Sequence, residues 1–314
     1  MLSGISHKLL IYHSDSKIYE RIISKRLPQL KIHSASRPKE ALGFAEEAEI
    51  ILAWQIPDEV LKRAKRLQWF SSMGAGNEHL VKNPYLPKGV TLTKATVYGE
   101  MIAEYVFAYL LYFSRNVDKH LKDQRKKVWD RVRPTRLRRK VLGILGLGSV
   151  GREIAKRGKQ FGMNVLGLKR IPEPVENVDQ VFGQDDLHRL IPLVDYLVNV
   201  LPLTPQTYHI LGKKELGLLK EGAFLFSIGR GKTIDEKALK KVLPAKKIQA
   251  VLDVFEKEPL SPKSKLWGLK NVIVTPHVSG ISIPEEISEE FVRNYEGWVR
   301  GEPLTNLVDR EKGY

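Results

Sequence analysis

The chain has 314 residues, 42% of them hydrophobic and 28% charged, with a formal net charge of +16. That length allows two domains of ordinary size, and the apolar share excludes a disordered chain. The sequence contains no cysteine, which excludes disulfides, thiolate zinc sites and cysteine nucleophiles together.

The first apolar run, 9–12, is too short for a signal-peptide core, and no later run approaches the roughly 18 apolar residues of a membrane span. A soluble, cytoplasmic protein without membrane association is expected. Strands are expected at 8–12, 50–54, 69–73 and 90–93. Segments of helical period such as 57–65 lie between them, so residues 1–98 read as a small α/β unit. Residues 99–116, GEMIAEYVFAYLLYFSRN, are apolar on most faces and read as a buried helix. The stretch 122–140 then carries ten basic residues against Asp123 and Asp130. Charge runs are usually solvated faces, and a nucleic-acid patch would interleave aromatics where only Trp129 stands. Nucleic acid is therefore not the expected partner. Small anions and phosphorylated cofactors suit the positive balance better. Six further apolar strands follow at 141–145, 164–168, 196–200, 223–227, 249–252 and 271–274, separated by crossover segments. They specify a doubly wound parallel sheet. A helix at 284–300 and a short tail close the chain.

Residues 146–151 read GLGSVG, after an apolar strand and before a helical stretch and a second strand. That βαβ context marks a dinucleotide-binding fingerprint. Gly146 permits the tight turn, Gly148 admits the pyrophosphate to the backbone, and Gly151 allows close contact of helix and strand. The helix N-terminus, from Leu147 through Ser149 and Val150, offers N–H groups to phosphate. NAD-binding versions place an acid at the end of the second strand. Here Lys169 and Arg170 occupy that place, and no acid occurs before Glu173. A carboxylate would repel a 2′-phosphate and these cations would attract one, so NADP(H) is expected rather than NAD(H).

Three segments bring chemistry to the carboxyl edge of the same sheet: SIGRGKTIDE at 227–236, LDVFEKEPL at 252–260 and TPHVSG at 275–280. Arg, Glu and His converging there suit reduction of a 2-oxo acid. Arg forks onto the carboxylate and polarises the carbonyl, His protonates the developing alkoxide, and Glu holds the imidazole. Glu256 and Glu258 compete for that last role. No metal is called for.

With these motifs, together with GAGNEHL at 74–80 and LPLTPQT at 201–207, the sequence resembles the D-isomer-specific 2-hydroxyacid dehydrogenase family over nearly its whole length. The resemblance implies a Rossmann-type domain at 99–282 and a smaller flavodoxin-like α/β substrate domain from 1–98 and 283–314. It implies a homodimer, an active site in the cleft between the domains, and a small 2-oxo or D-2-hydroxy acid substrate such as glyoxylate or hydroxypyruvate. By the same resemblance Arg230 binds and polarises substrate, and His277 is the general acid/base. Glu258, five residues after Asp253, is its partner. Asp253 sits where the family binds the nicotinamide carboxamide. Leu201, Pro202, Thr207, Ile228, Gly229 and Gly280 line the cofactor, and Ala75 and Gly76 receive the substrate carboxylate. Trp54 reads either as a cover over substrate or as a packed aromatic. The rival reading is a dinucleotide-sensing, corepressor-like regulator of the same architecture.

Overall fold

The computed structural model describes residues 6–313. It divides into two compact units, Met1–Tyr98 with Ile281–Tyr314, and Gly99–Gly280.

The first unit is built on five parallel strands: β1 (Lys8–Tyr12), β2 (Lys31–Ala35), β3 (Ile50–Ala53), β4 (Trp69–Ser72) and β5 (Thr91–Lys94), in the order β2-β1-β3-β4-β5. Both β3 and β4 are buried at every position, as strands covered on both faces must be. The register sets Leu10 beside Ile51 and Ile51 beside Phe70, one apolar row across the sheet. Strand order reverses between β1 and β3, the flavodoxin-like pattern. β2 was not expected from the sequence. Its segment, KIHSA, pairs only with β1 at the sheet's edge, where little apolar surface is needed. The closing helix, Pro284–Val299, stacks Phe291 on Trp69 at 5.1 Å between ring centroids. Beyond it the Val308 amide donates to Leu92 O at 2.8 Å, and an antiparallel bridge joins Leu307 to Thr93, so the tail covers the free edge of β5.

The second unit carries seven parallel strands: β6 (Val141–Leu145), β7 (Asn164–Leu168), β8 (Gln180–Phe182), β9 (Tyr196–Asn199), β10 (Phe224–Ser227), β11 (Gln249–Leu252) and β12 (Val272–Val274). Their order, β12-β11-β10-β9-β6-β7-β8, is the doubly wound arrangement, with its switch point between β6 and β9. The expected six strands are present to within one residue at each end. The seventh, β8, is a three-residue edge strand too short to leave a periodic signal. The expected buried helix spans Tyr98–Ser114, with Ala103, Val106 and Leu110 fully buried. Asn116, at φ 54°, breaks it, and a second helix, Val117–Lys126, carries the start of the basic stretch. No helix among the described residues is long and apolar enough to cross a membrane.

Candidate active site

The fingerprint loop lies at the switch point of the larger sheet. Gly146 has φ +103°, a conformation that side-chain-bearing residues rarely adopt. A Cβ at Gly151 would lie 2.0 Å from Gly146 O, so helix and turn meet only because Gly151 is bare. Helix Ser149–Gln160 starts from Gly148, which has no side chain to cap it, and no atom lies within 4 Å of a Cβ built there. First-turn N–H groups without a side-chain cap, reached through open space, fit a bound pyrophosphate. Leu147 turns inward against Gly167 of β7, and Val150 is half-buried while Ser149 is exposed.

Across the switch point, Leu201 and Ile228 are buried, and a Cβ at Gly229 would come within 2.6 Å of Leu201 O. Asn199, which the sequence reading passed over, ties these loops. Its carbonyl accepts the amides of Ile228 and Gly229, each at 3.1 Å, and its Nδ2 donates to Thr233 Oγ1 at 2.7 Å. The available signal was a fully buried polar residue closing the apolar strand YLVN. Thr207 donates to Pro202 O at 2.6 Å and shapes that loop from within.

At the end of β7 the half-buried Lys169 forms an ion pair with Glu173, whose carboxyl falls below its ordinary range. The Lys169 hydrogen bond is the main cause, and Arg152 of the fingerprint helix adds to it. The acid that the sequence places four residues downstream thus folds back onto the first of the two cations. Arg170 is exposed beside it.

The candidate catalytic groups follow β10, β11 and β12. His277 Nδ1 stands 2.8 Å from Glu258 Oε2, and Glu258 Oε1 accepts the Phe255 amide at 3.0 Å. The hydrogen bond to Glu258 is the leading reason that the His277 pKa is raised above 6.5, against burial and the Arg230 charge, which lower it. Burial alone would raise Glu258, but His277, the Phe255 amide and Arg230 outweigh it and hold the carboxyl below its ordinary value. Arg230 therefore stands close enough to act on both members of the pair. Its Nη1 also donates to Gly229 O at 3.0 Å. Glu256 turns away from His277; its Oε1 lies 3.0 Å from His209 Nε2.

Asp253 is fully buried and stitches the His277 turn to β11. Its Oδ1 accepts Thr275 Oγ1 and, at 2.9 Å, the Val278 amide; its Oδ2 accepts the Ser279 amide at 2.9 Å. Its carbonyl takes the His277 amide at 3.0 Å. Gly280 follows this turn, half-buried.

In the first unit, Trp54 lies over Gly74. A Cβ on Gly74 would fall 1.4 Å from Trp54 Cζ3, so only glycine permits this indole position. His79 Nε2 contacts Trp54 O at 2.8 Å, and its ring meets the indole at 4.9 Å. Ala75 and Gly76 follow, half-buried, on a turn where the Ala95 amide donates to Gly74 O at 3.2 Å. Trp54, Ala75 and Gly76 thus share one edge of the smaller sheet, while Arg230, Glu258 and His277 share one edge of the larger.

Residues 107–279 match the family model described as D-isomer specific 2-hydroxyacid dehydrogenase, NAD binding domain. The chain is 30% identical to glyoxylate/hydroxypyruvate reductase A of Yersinia enterocolitica, with 98% of this chain and 99% of that protein covered. Its structure is similar to that of a D-isomer specific 2-hydroxyacid dehydrogenase family protein from Aeromonas salmonicida, with a TM-score of 0.88, 35% identity and coverage of 98% and 100% of the two chains. It is equally similar to a D-isomer specific 2-hydroxyacid dehydrogenase from Xanthobacter autotrophicus in complex with NADPH and MES, with a TM-score of 0.89, 31% identity and coverage of 99% and 100%. The likeness supports a dehydrogenase or reductase role, and the chain belongs to the D-isomer specific 2-hydroxyacid dehydrogenase family.

Proposed function

We propose that the protein reduces a small 2-oxo acid, of the glyoxylate or hydroxypyruvate kind, to the D-2-hydroxy acid with NADPH. The observation that carries this reading is the His277–Glu258 contact of 2.8 Å beside Arg230, at the carboxyl edge of a sheet whose fingerprint loop fits a dinucleotide. On this reading Gly99–Gly280 is the dinucleotide-binding domain, and Trp54, Ala75 and Gly76 of the other unit serve substrate. The adenosine end meets Lys169, Arg170 and Arg152, which favours a 2′-phosphate. The Xanthobacter relative in complex with NADPH supports the same choice.

A bound reduced nicotinamide supplies the hydride. The chain supplies binding, polarisation and the proton. Arg230 offers a planar fork of donors to the substrate carboxylate and draws electron density from the adjacent carbonyl. His277 points Nδ1 at Glu258, which leaves Nε2 to give its proton to the developing alkoxide. Glu258 fixes the ring and stabilises the imidazolium without taking the proton itself.

The test is NADPH oxidation followed at steady state with a panel of 2-oxo acids, glyoxylate and hydroxypyruvate included, and again with NADH. Turnover of a small 2-oxo acid bears the reading out. No turnover of any panel member with either cofactor sinks it. We also propose a homodimer, on the family resemblance; light scattering in solution measures it directly.

A further inference from the structure

Arg230 and Glu258 come from different loops, and their mutual placement rests on how those loops are joined. The Arg230 loop runs through Gly231 to Glu236, the first residue of helix Glu236–Ala245. The Glu258 loop runs from Asp253 through Phe255 and Glu256. Two contacts fasten them. A Cβ on Gly231 would lie 2.0 Å from the backbone carbon and oxygen of Phe255, so the backbones touch there. Farther along, the two glutamates exchange bonds reciprocally. The Glu236 amide donates to Glu256 Oε1 at 3.0 Å, and the Glu256 amide donates to Glu236 Oε1 at 2.8 Å.

Two facing carboxylates repel unless compensated. Here Lys240 Nζ lies 3.1 Å from Glu236 Oε2 and supplies the compensating charge, and the His209 ring, with Nε2 3.0 Å from Glu256 Oε1, packs against the second carboxylate. His209 is close enough to pair but is not aligned as a hydrogen bond. Its own amide donates to Lys232 O at 2.9 Å, which ties it to the Arg230 loop as well. At the start of helix Glu236–Ala245, Asp235 accepts the amides of Lys237 and Ala238, and Glu256 takes the amide of the first residue, which Asp235 leaves unmet. The return bond, from the Glu256 amide to Glu236, is the half that the helix does not require, and it is this half that fastens the Glu258 loop.

We propose that the Glu236–Glu256 clasp is a positioning device that sets the separation of Arg230 from the His277–Glu258 pair. Glu256 and Glu236 are positioning residues for the reaction, acting through the loops that carry the groups touching substrate. The inference rests on the reading of the site as a 2-oxo acid reductase. Effective geometry is steep: a misplacement of about 1 Å can cost about 100-fold in rate. Loss of the clasp should therefore weaken catalysis more than cofactor binding, which also rests on the fingerprint loop and on the end of β7, away from the clasped loops.

The experiment compares the wild type with Glu256→Ala, Glu256→Gln and Glu236→Ala in the full-length chain. Glu256→Ala should lower kcat/KM for the 2-oxo acid by about 10- to 100-fold. It should leave the NADPH dissociation constant, read by fluorescence, within about twofold, and move the basic limb of the pH–rate profile downward as His277 and Glu258 loosen. Glu256→Gln keeps an acceptor for the Glu236 amide and should recover most of the rate. Glu236→Ala should resemble Glu256→Ala, and the double variant should be no worse than either, since one clasp is lost in each case. An active wild type whose Glu256→Ala variant keeps its kcat/KM and pH limb overturns the clasp alone. Loss in Glu256→Gln as deep as in Glu256→Ala also overturns it, because the acceptor would not be what matters. If Glu256→Ala does not fold, Glu256→Asp, with its carboxylate drawn back by one methylene, is read against the same outcomes. A wild type without reductase activity fails the functional reading itself, a separate result.

Discussion

His277 sits at φ 55°, left-handed for a residue with a side chain, which costs about 1–2 kcal/mol. The Asp253 carbonyl and carboxylate hold that turn in place, so the strain is offset by a buried acceptor network around it. Replacing His277 with Asn should leave NADPH binding nearly intact and lower turnover by about 10²–10⁴, the range for a lost general acid, as read by binding fluorescence and steady-state rates. Turnover unchanged in that variant would remove His277 from the chemistry. The pH dependence follows from the raised His277 pKa. Reduction needs the imidazolium, so kcat/KM should hold level at low pH and fall only above 6.5, the ordinary histidine value. Glu258→Gln removes the leading cause of the shift. Burial and Arg230 then act against the proton, and the limb should move to lower pH; a limb that stays put would assign it to another group. For stability, the His277 contribution is complete below 6.5 and is lost as pH rises through its raised value. The Glu258 contribution is complete above 4.5 and is lost as pH falls through its lowered value. The pair therefore stabilises the fold most between 4.5 and 6.5.

At the scale of elements, the interior strands were legible because parallel strands covered on both faces must be apolar throughout. β2 and β8 were not: KIHSA at its sheet's edge is mostly half-buried and mixed in polarity, and β8 is only three residues long, whereas the other edge strands, β5 and β12, still follow short apolar runs. The end of β7 shows the same limit in its chemistry. Lys169 and Arg170 could be read in place, but the return of Glu173 to Lys169 depends on the path of the loop between them. An incoming 2′-phosphate must compete with that carboxylate. A phosphate carries about two negative charges against the carboxylate's one and has three acceptor oxygens for cations at this strand end, so the phosphate should win. The ratio of kcat/KM for NADPH over NADH should be at least about 10, and Glu173→Gln should raise it by no more than about fivefold. Lys169→Asp with Arg170→Ser should abolish or invert it. Equal use of NADH by the wild type would show that charge at this strand end does not select the cofactor.

The whole molecule carries +16, and the stretch 122–140 concentrates much of it. Its two acids are both taken by Lys119, with Asp123 in ion-pair contact and Asp130 at 2.6 Å. Helix Val117–Lys126 has no buried residue, and Trp129 is 91% exposed. Scattered cations without base-reading groups bind duplex DNA by counterion release, which falls steeply with salt. In gel-shift titrations, DNA should be retarded at low ionic strength and released by about 150 mM salt. Retention at that salt would favour the regulator reading over the enzyme.

The sequence by itself determined what local pattern encodes: two α/β units, the fingerprint between a strand and a helix, and the segments that follow each strand of the larger sheet. Strand period and glycine spacing are short-range properties, and the carboxyl edge of a parallel sheet is common to all its strands, so Arg230, Glu258 and His277 could be placed at one edge before any coordinates. The residues by themselves left the partner of His277 open between Glu256 and Glu258, the family resemblance named Glu258, and the tertiary structure brings Glu258 to it. Glu256 and Glu258 are two residues apart on one loop, yet one faces His209 and the other His277. Asn199 and Asp253 serve as buried acceptors only because loops distant in sequence bring amides to them. Hydrogen-bond partners across such separations are set by loop paths and by which buried donors still need an acceptor, and neither leaves a periodic trace in the chain.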